Sequence, residues 1–256
     1  MTPGVRIFLL LFGLSVLVAF LVLPPYSLTG KACFVASGVC HRLPEHSFFF
    51  GGRQSPLCAR CTGTYIGLSV AFAFLIARKR LRCGLFPPLK VSLVLAGFVV
   101  LWAVDSINSF GEFLTGKPLL YPPSNWLRLI TGAIYGLCWG GWFFPFFNSV
   151  VFRDPAPCRS MENLGELALL TCLGLGLSGL ILMPWPFLFY PLVVLSLAGP
   201  LLLLGSINAV LIKLIFNFYP EGIEKGGEFL PLLVSGMGAA LLEIMALNLA
   251  RAILRI

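Results

Sequence analysis

Charge is scarce in this sequence. Charged residues make up 11% of the 256 residues, and acidic residues number 10. A soluble domain carries about 25% charged residues, so the chain lacks the polar surface that a soluble protein needs. The sequence also contains no phosphate-binding loop, dinucleotide fingerprint, His-Glu-x-x-His or Gly-x-Ser-x-Gly motif. These absences argue against common nucleotide-driven pumps and common hydrolases.

Apolar residues take the place of the missing charge: they make up 58% of the chain and come in long runs. A run of about 18 or more apolar residues is typical of a membrane-spanning helix, because in lipid every backbone N–H and C=O must be satisfied within the helix. We therefore predict an all-α fold, a polytopic transmembrane helical bundle of about seven spans, with six to eight as the range. The predicted spans are residues 6–23, 62–77, 91–108, 126–147, 164–183, 187–206 and 229–250.

The chain is predicted to form a single integral membrane domain over residues 1–256, because proline-rich connections separate the spans and no internal repeat occurs. Its net charge of +8 comes from Lys and Arg at the ends of apolar runs, which favours the lipid bilayer rather than nucleic acid as the partner. The densest basic cluster, at residues 78–82, is predicted to be cytoplasmic. Alternation of the spans then makes the loop at residues 23–58 extracytoplasmic in a cell-membrane protein.

Cysteine and histidine concentrate in that loop. Half of the 8 cysteines and both histidines lie there, at Cys33, Cys40-His41, His46, Cys58 and Cys61. Residues three apart share one face of a helix, so the last two sulfurs can point at one centre. The start of a helix carries partial positive charge, which favours thiolate over thiol.

Polar residues at two other helix ends reinforce this position. Asp105 lies near the end of the third span, Asn125 and Arg128 open the fourth, and Thr131 follows one turn later. Alternation brings these ends to the same membrane face as the start of the second span. Ionisable groups at membrane depth are costly and usually pair or line a functional cavity, so we predict a polar mouth beside the cysteines.

A stripe of glycines in the fourth span, at Gly132, Gly136 and Gly140, is typical of close helix packing. Arg128 lies on the same stripe, which predicts that its side chain faces the interior of the bundle.

The loop and the start of the second span together form one long motif. It reads Cys40-His41-x-x-Pro44-x-x-Ser47-Phe48-Phe49-x-x-Gly52-x-Gln54-x-Pro56-Leu57-Cys58-Ala59-Arg60-Cys61-Thr62-Gly63-x-Tyr65-x-Gly67. This motif resembles the signature of a family of predicted prokaryotic membrane proteins catalogued as a domain of unknown function. Asp105 and the run Ser124-Asn125-x-x-Arg128-x-x-Thr131-Gly132 resemble that family too. The resemblance covers a core at residues 33–145, and the spans over 164–250 are additional. It implies a multi-pass bundle and no particular reaction.

Three interpretations of the cysteine-rich site remain open. The first is a metal site, with zinc as the cofactor and Cys40, His41, Cys58 and Cys61 as ligands; His46 or Cys33 are alternative fourth ligands. Cys3His sets with a Cys-x-x-Cys half-site are typical of zinc. The second is a membrane thiol–disulfide oxidoreductase, in which a Cys33/Cys40 pair exchanges with Cys58/Cys61.

The third interpretation is a transporter or a lipid-headgroup enzyme with structural disulfides. It would act on a small polar or lipid-headgroup ligand through Asp105, Arg128 and Glu243, the last of which is expected to avoid lipid. The structural alternative is an Asp105–Arg128 ion pair that joins the third and fourth spans. If the site is catalytic, the candidate residues are Cys58, Arg60, Cys61, Asp105 and Arg128. The remaining cysteines, Cys83, Cys138, Cys158 and Cys172, are predicted to be small hydrophobic packing residues.

Overall fold

A computed structural model describes residues 3–183, 185–218, 221–224 and 226–254. Within those residues, seven helices are long and apolar enough to cross a membrane. They extend over Pro3–Val22, Ala59–Ala77, Leu89–Thr115, Asn125–Val151, Leu164–Ile181, Pro186–Ile215 and Glu228–Leu254. The predicted all-α membrane bundle of about seven spans is therefore confirmed, and the protein is a multi-pass membrane protein in contact with the lipid bilayer.

The helices and strands follow one another along the chain in a simple order. They are α1 (Pro3–Val22), α2 (Leu28–Val39), β1 (Ser47–Phe50), β2 (Arg53–Cys58), α3 (Ala59–Ala77), β3 (Cys83–Leu85), α4 (Leu89–Thr115), α5 (Asn125–Cys138), α6 (Phe144–Val151), β4 (Ala156–Arg159), α7 (Leu164–Ile181), α8 (Phe189–Ile215) and α9 (Gly226–Leu254). A π-helical turn at Trp139–Phe143 joins α5 to α6 within one span. Short 3-10 turns lie at Pro44–His46 and Pro186–Leu188.

The segment between the first two spans is ordered, which the sequence analysis did not predict. Helix α2 begins after Ser27, whose side chain accepts a hydrogen bond from the Gly30 N–H at 3.0 Å, as expected of an N-cap. Strands β1 and β2 then pair in an antiparallel hairpin. Its turn consists of Gly51 and Gly52, with φ of +56° and +77°, the left-handed conformation that a two-residue hairpin turn requires.

Contacts divide the chain into two compact units. The first consists of Met1–His41, Phe147–Pro155 and Ser196–Ile256, and the second of Arg42–Phe146 and Ala156–Leu195.

In the first unit, α1 and α2 pack on α9. A Cβ on Gly13 of α1 would collide with the backbone of Val234, and one on Gly38 of α2 would meet Ile244. Asn248 of α9 donates to the carbonyl oxygen of Phe34 at 2.9 Å. Small residues thus allow the close helix approach that drives association in lipid.

In the second unit, α3 and α5 lie in backbone contact. A Cβ on Gly67 of α3 would collide with the carbonyl oxygen of Ala133, and one on Gly132 or Gly136 of α5 would collide with the backbone of α3. The prediction that the α5 glycines form a packing stripe is confirmed, as is the prediction that Arg128 is buried, since it is 5% exposed.

A disulfide between Cys83 and Cys158 joins β3 to β4 across 75 residues of sequence. The prediction that these two cysteines act as small hydrophobic packing residues is therefore wrong. The two short strands run parallel, with Cys83 opposite Ala156. Cys172 is exposed rather than packed, whereas Cys138 is buried.

Candidate functional site: a cysteine cluster beside a buried polar network

The hairpin that precedes α3 is held by its own side chains. Gln54 of β2 donates from Nε2 to the carbonyl oxygen of Arg42 at 2.8 Å. Arg42 donates from Nε to the carbonyl oxygen of Pro56 at 2.9 Å. These two bonds close the segment from Arg42 to Pro56 into a compact loop.

Three cysteine sulfurs meet at this point. The Sγ atoms of Cys40, Cys58 and Cys61 all lie within 4.8 Å of one another. Cys58 is the N-cap residue of α3 and Cys61 lies in its first turn, so both are near the partial positive charge of the helix end. Three thiols at this spacing form a group that could hold a metal ion.

The predicted fourth ligands lie outside this group. His41 is exposed and Cys33 is half-buried, and neither belongs to the cluster of the three sulfurs within the described residues. His46 lies in the 3-10 turn before the hairpin, and its Nε2 atom is 3.2 Å from Nη2 of Arg128. It therefore belongs to the neighbouring polar network.

Arg60, between the two cysteines of the Cys-x-x-Cys motif, reaches into that network. Its Nη2 atom lies 2.5 Å from Oδ2 of Asp105 on α4, and Nε lies 3.2 Å from the same oxygen. Nη2 also donates to Oγ of Ser109 at 2.9 Å. Asp105 is 1% exposed, so this ion pair connects the start of α3 to the end of α4 in a dry environment.

Two further groups bind the Asp105 carboxylate. Thr131 of α5 donates from Oγ1 to Oδ2 at 3.2 Å, and Tyr121 donates from its phenol to Oδ1 at 3.2 Å. Burial first, and then the neighbouring Asp105 charge, raises the pKa of Tyr121 above its ordinary value of 10.0. Both carboxylate oxygens therefore accept hydrogen bonds, Oδ2 from α3 and α5 and Oδ1 from the connection between α4 and α5, and the three helix ends meet as the sequence predicted.

Arg128 has different partners from those that the sequence suggested. Nη1 donates to Oδ1 of Asn125 at 3.0 Å, and Nη2 contacts His46. The proposed Asp105–Arg128 ion pair is therefore wrong for the described residues, because Arg60 takes that place. Burial, and then the charge of Arg128, lowers the pKa of His46 below its ordinary value of 6.5. The imidazole is thus neutral at pH 7 and accepts a hydrogen bond.

Sequence reasoning missed Tyr121, Asn108 and Ser109. Asn108 is 1% exposed; it donates to the carbonyl oxygen of Tyr121 and accepts from the Leu120 N–H, both at 2.8 Å. These bonds hold the tyrosine against Asp105. A signal was available, because positions 105, 108 and 109 are spaced three and four apart and share one face of a helix.

Glu243 is exposed on α9, and the expectation that it avoids lipid stays a prediction. One carboxylate oxygen accepts a hydrogen bond from Nδ2 of Asn208 at 2.9 Å, which links α9 to α8 within the first unit.

Comparison with known proteins connects this site to a family. Residues 40–141 match the family described as "Predicted membrane protein (DUF2085)". A protein of Methanothermobacter thermautotrophicus, named "Uncharacterized protein", is 37% identical over 84 residues, which are 31% of this chain and 76% of that protein. The chain belongs to this family.

A second DUF2085 relative, "Uncharacterized protein MJ1492" of Methanocaldococcus jannaschii, is 33% identical over 119 residues, covering 46% of this chain and 70% of that protein. No solved structure matches. The family segment at 40–141 contains the three clustered cysteines and the whole Asp105 network. Helices α7 to α9 follow it as additional parts of this chain.

Proposed function

We propose that this DUF2085 protein binds one zinc ion through Cys40, Cys58 and Cys61, at a site that adjoins the Arg60–Asp105 network. One observation carries the proposal: the three sulfurs lie within 4.8 Å of one another. Zn–S bonds of about 2.3 Å separate tetrahedral sulfur ligands by about 3.8 Å, so an ion needs only small side-chain movements. Thiolates are the ligands that zinc prefers when three cysteines meet.

Three protein ligands leave a fourth position on a tetrahedral ion. Structural zinc sites fill that position with a protein ligand, whereas catalytic sites keep it for water or a substrate. His41 is exposed and adjacent to Cys40, so it can serve as the fourth ligand if its side chain turns. Arg60 lies between Cys58 and Cys61 and pairs with Asp105, which couples the geometry of the metal site to the buried network.

Metal analysis of purified protein tests the proposal. We expect about one zinc per chain in the wild type, loss of zinc in Cys61→Ser, and an exposed thiol count that rises after chelation. The matched control is Cys83→Ser/Cys158→Ser, which removes the other cysteine pair and should keep its zinc. If the wild type contains no metal and its thiols are detected only after a reductant is added, thiol–disulfide chemistry takes the place of zinc binding as the explanation of the site. Zinc that survives Cys61→Ser would also overturn the proposal.

We also propose that the cysteine cluster faces the cytoplasm. Helix α3 separates Cys58 from Cys83, and the Cys83–Cys158 disulfide is typical of an oxidising, extracytoplasmic compartment. Zinc thiolates need reduced cysteines, which the cytoplasm provides. This assignment reverses the orientation that the basic cluster at residues 78–82 predicts. The basic cluster and the disulfide therefore favour opposite orientations, and the proposal follows the disulfide.

Labelling with a membrane-impermeant thiol reagent decides the orientation. Lys117→Cys places a thiol on the connection between α4 and α5, and Arg159→Cys places one beside the disulfide; both positions are exposed. We expect intact cells to label Arg159→Cys, and to label Lys117→Cys only after permeabilisation. The opposite pattern would restore the orientation that the charge bias predicts.

A further inference from the structure

Arg128 is a buried cation without a carboxylate partner. It is 5% exposed, and the described residues that contact its guanidinium are the Asn125 amide and the His46 imidazole, both neutral groups. Its buried Nε atom has no hydrogen-bond partner in the described part of the chain. An arginine at membrane depth usually pairs with an anion, and a buried donor without a partner destabilises the fold.

The guanidinium is folded back over the start of its own helix. The bond from the Arg128 N–H to the Ser124 carbonyl oxygen, at 3.0 Å, closes the first turn of α5, so the N–H groups ahead of it have no partner within the helix. Ser124 makes no side-chain cap bond there. The Asn125 side chain is occupied by Glu45 and Arg128. The first turn of α5 therefore has amide donors without a partner inside the helix, and a partial positive charge. Both lie beside the guanidinium of Arg128, whose Nε atom has no hydrogen-bond partner in the described part of the chain.

Charge at this position is also unbalanced. Asp105 neutralises Arg60, and His46 is neutral at pH 7 because burial and Arg128 lower its pKa. The charges of Glu45 and Glu112 act on the pKa of His46 only through space. Neither glutamate forms an ion pair with Arg128 in the described residues. The charges of Asp105 and Glu112 act on Arg128 through space without a direct ion pair, which leaves the place of a direct partner open to an anion from outside the chain.

We propose that the first turn of α5, together with Arg128 and His46, binds a phosphate group. Arginine binds phosphate through two parallel N–H bonds, and helix N-termini bind it through open amides. Ser124 and Asn125 are partly exposed, so the site opens at the surface of the membrane. The phosphate can belong to free inorganic phosphate or to an anionic lipid headgroup.

The test measures phosphate binding directly. Isothermal titration of inorganic phosphate into purified protein tests the soluble source, with chloride at equal ionic strength as the control. Native mass spectrometry of protein from nanodiscs of phosphatidic acid and phosphatidylcholine tests the lipid source. Saturable binding of either phosphate is the expected result. Retention of phosphatidic acid alone identifies a lipid headgroup as the ligand.

Variants connect binding to the site. Arg128→Lys keeps the charge and loses the planar fork, so binding should weaken about tenfold, and His46→Gln should weaken it less. Arg53→Gln removes an exposed arginine that contacts Tyr190 and should bind as the wild type does. Cys58→Ser/Cys61→Ser should lose zinc and keep phosphate, which separates this site from the metal site. Absence of binding in the wild type, or equal losses in Arg128→Lys and Arg53→Gln, would overturn the proposal.

Discussion

At its carboxyl end, α3 leads into Arg80, which contacts Glu162 and Glu166 at 2.8 Å each, and beyond it Cys83 is bonded to Cys158. At its amino end, the sulfurs of three cysteines lie within 4.8 Å of one another, and one carboxylate, that of Asp105, serves a network with two arginines. The carboxyl end is therefore cross-linked, and its Arg80 pairs with two carboxylates. The amino end holds the cysteine cluster and a buried arginine, Arg128, whose side-chain partners in the described residues are neutral groups. Both proposed ligand sites, for zinc and for phosphate, lie at the amino end.

Both ends depend on the contact between α3 and α5, so breaking that contact should have the largest effect. A side chain at Gly67 would collide with the backbone of Ala133. Overpacking typically costs about 1–3 kcal/mol, and we expect Gly67→Leu to cost more, because backbone rather than a flexible side chain blocks it. The folded fraction in detergent, measured by size exclusion and thermal unfolding, should fall sharply.

Gly97→Leu in α4 is the matched control, since a Cβ there meets nothing within 4 Å. It should retain the wild-type Tm. Equal behaviour of the two variants would mean that close α3–α5 packing does not hold the two ends in place.

Removal of one carboxylate at each end of α3 tests the difference between the two ends, and we expect an intermediate loss of stability. Asp105→Asn leaves Arg60 without its ion-pair partner in a dry network, which costs about 3–5 kcal/mol. Glu166→Gln leaves Arg80 in contact with Glu162, whose side chain is 52% exposed, so we expect a smaller loss. Thermal unfolding of both variants measures the difference. A larger loss in Glu166→Gln would contradict the view that the carboxyl end is the better-balanced one.

Part of this comparison could be predicted from the sequence. Long apolar runs predict the spans, and alternation predicts that the start of α3, the end of α4 and the start of α5 share a membrane face. Which arginine meets Asp105 could not be predicted, because it depends on the rotation of each helix about its axis. That rotation is set by the glycine contacts between α3 and α5, and it directs Arg60 rather than Arg128 at the carboxylate.

The disulfide and the hairpin escaped prediction for other reasons. Cys83 and Cys158 are 75 residues apart, and sequence spacing carries no information on a contact at that distance. The hairpin is short, and aromatic residues in β1 continue the apolar character of the helices around it. Its one local signal is the Gly51-Gly52 pair, which is typical of a two-residue hairpin turn.

The smallest expected loss of stability comes from changing Tyr121, which adds one hydrogen bond to the Asp105 network at the amino end of α3. Tyr121→Phe removes the 3.2 Å bond to Asp105, which should cost about 1 kcal/mol at neutral pH. Folding raises the pKa of this phenol above 10.0, so the folded protein keeps a proton that the unfolded chain releases. Its contribution to stability is therefore complete below pH 10 and is lost as the pH rises further.

Thermal unfolding from pH 8 to 11 measures this contribution. The wild type should lose stability more steeply above pH 10 than Tyr121→Phe does, because the variant has no proton to release at this position. Tyr26→Phe, which changes a phenol that is 77% exposed, should follow the wild type throughout. If the stability of Tyr121→Phe also follows that of the wild type, then the bonds from Arg60 and Thr131 are enough to stabilise the Asp105 carboxylate. The Tyr121 bond would then contribute nothing measurable to the amino end.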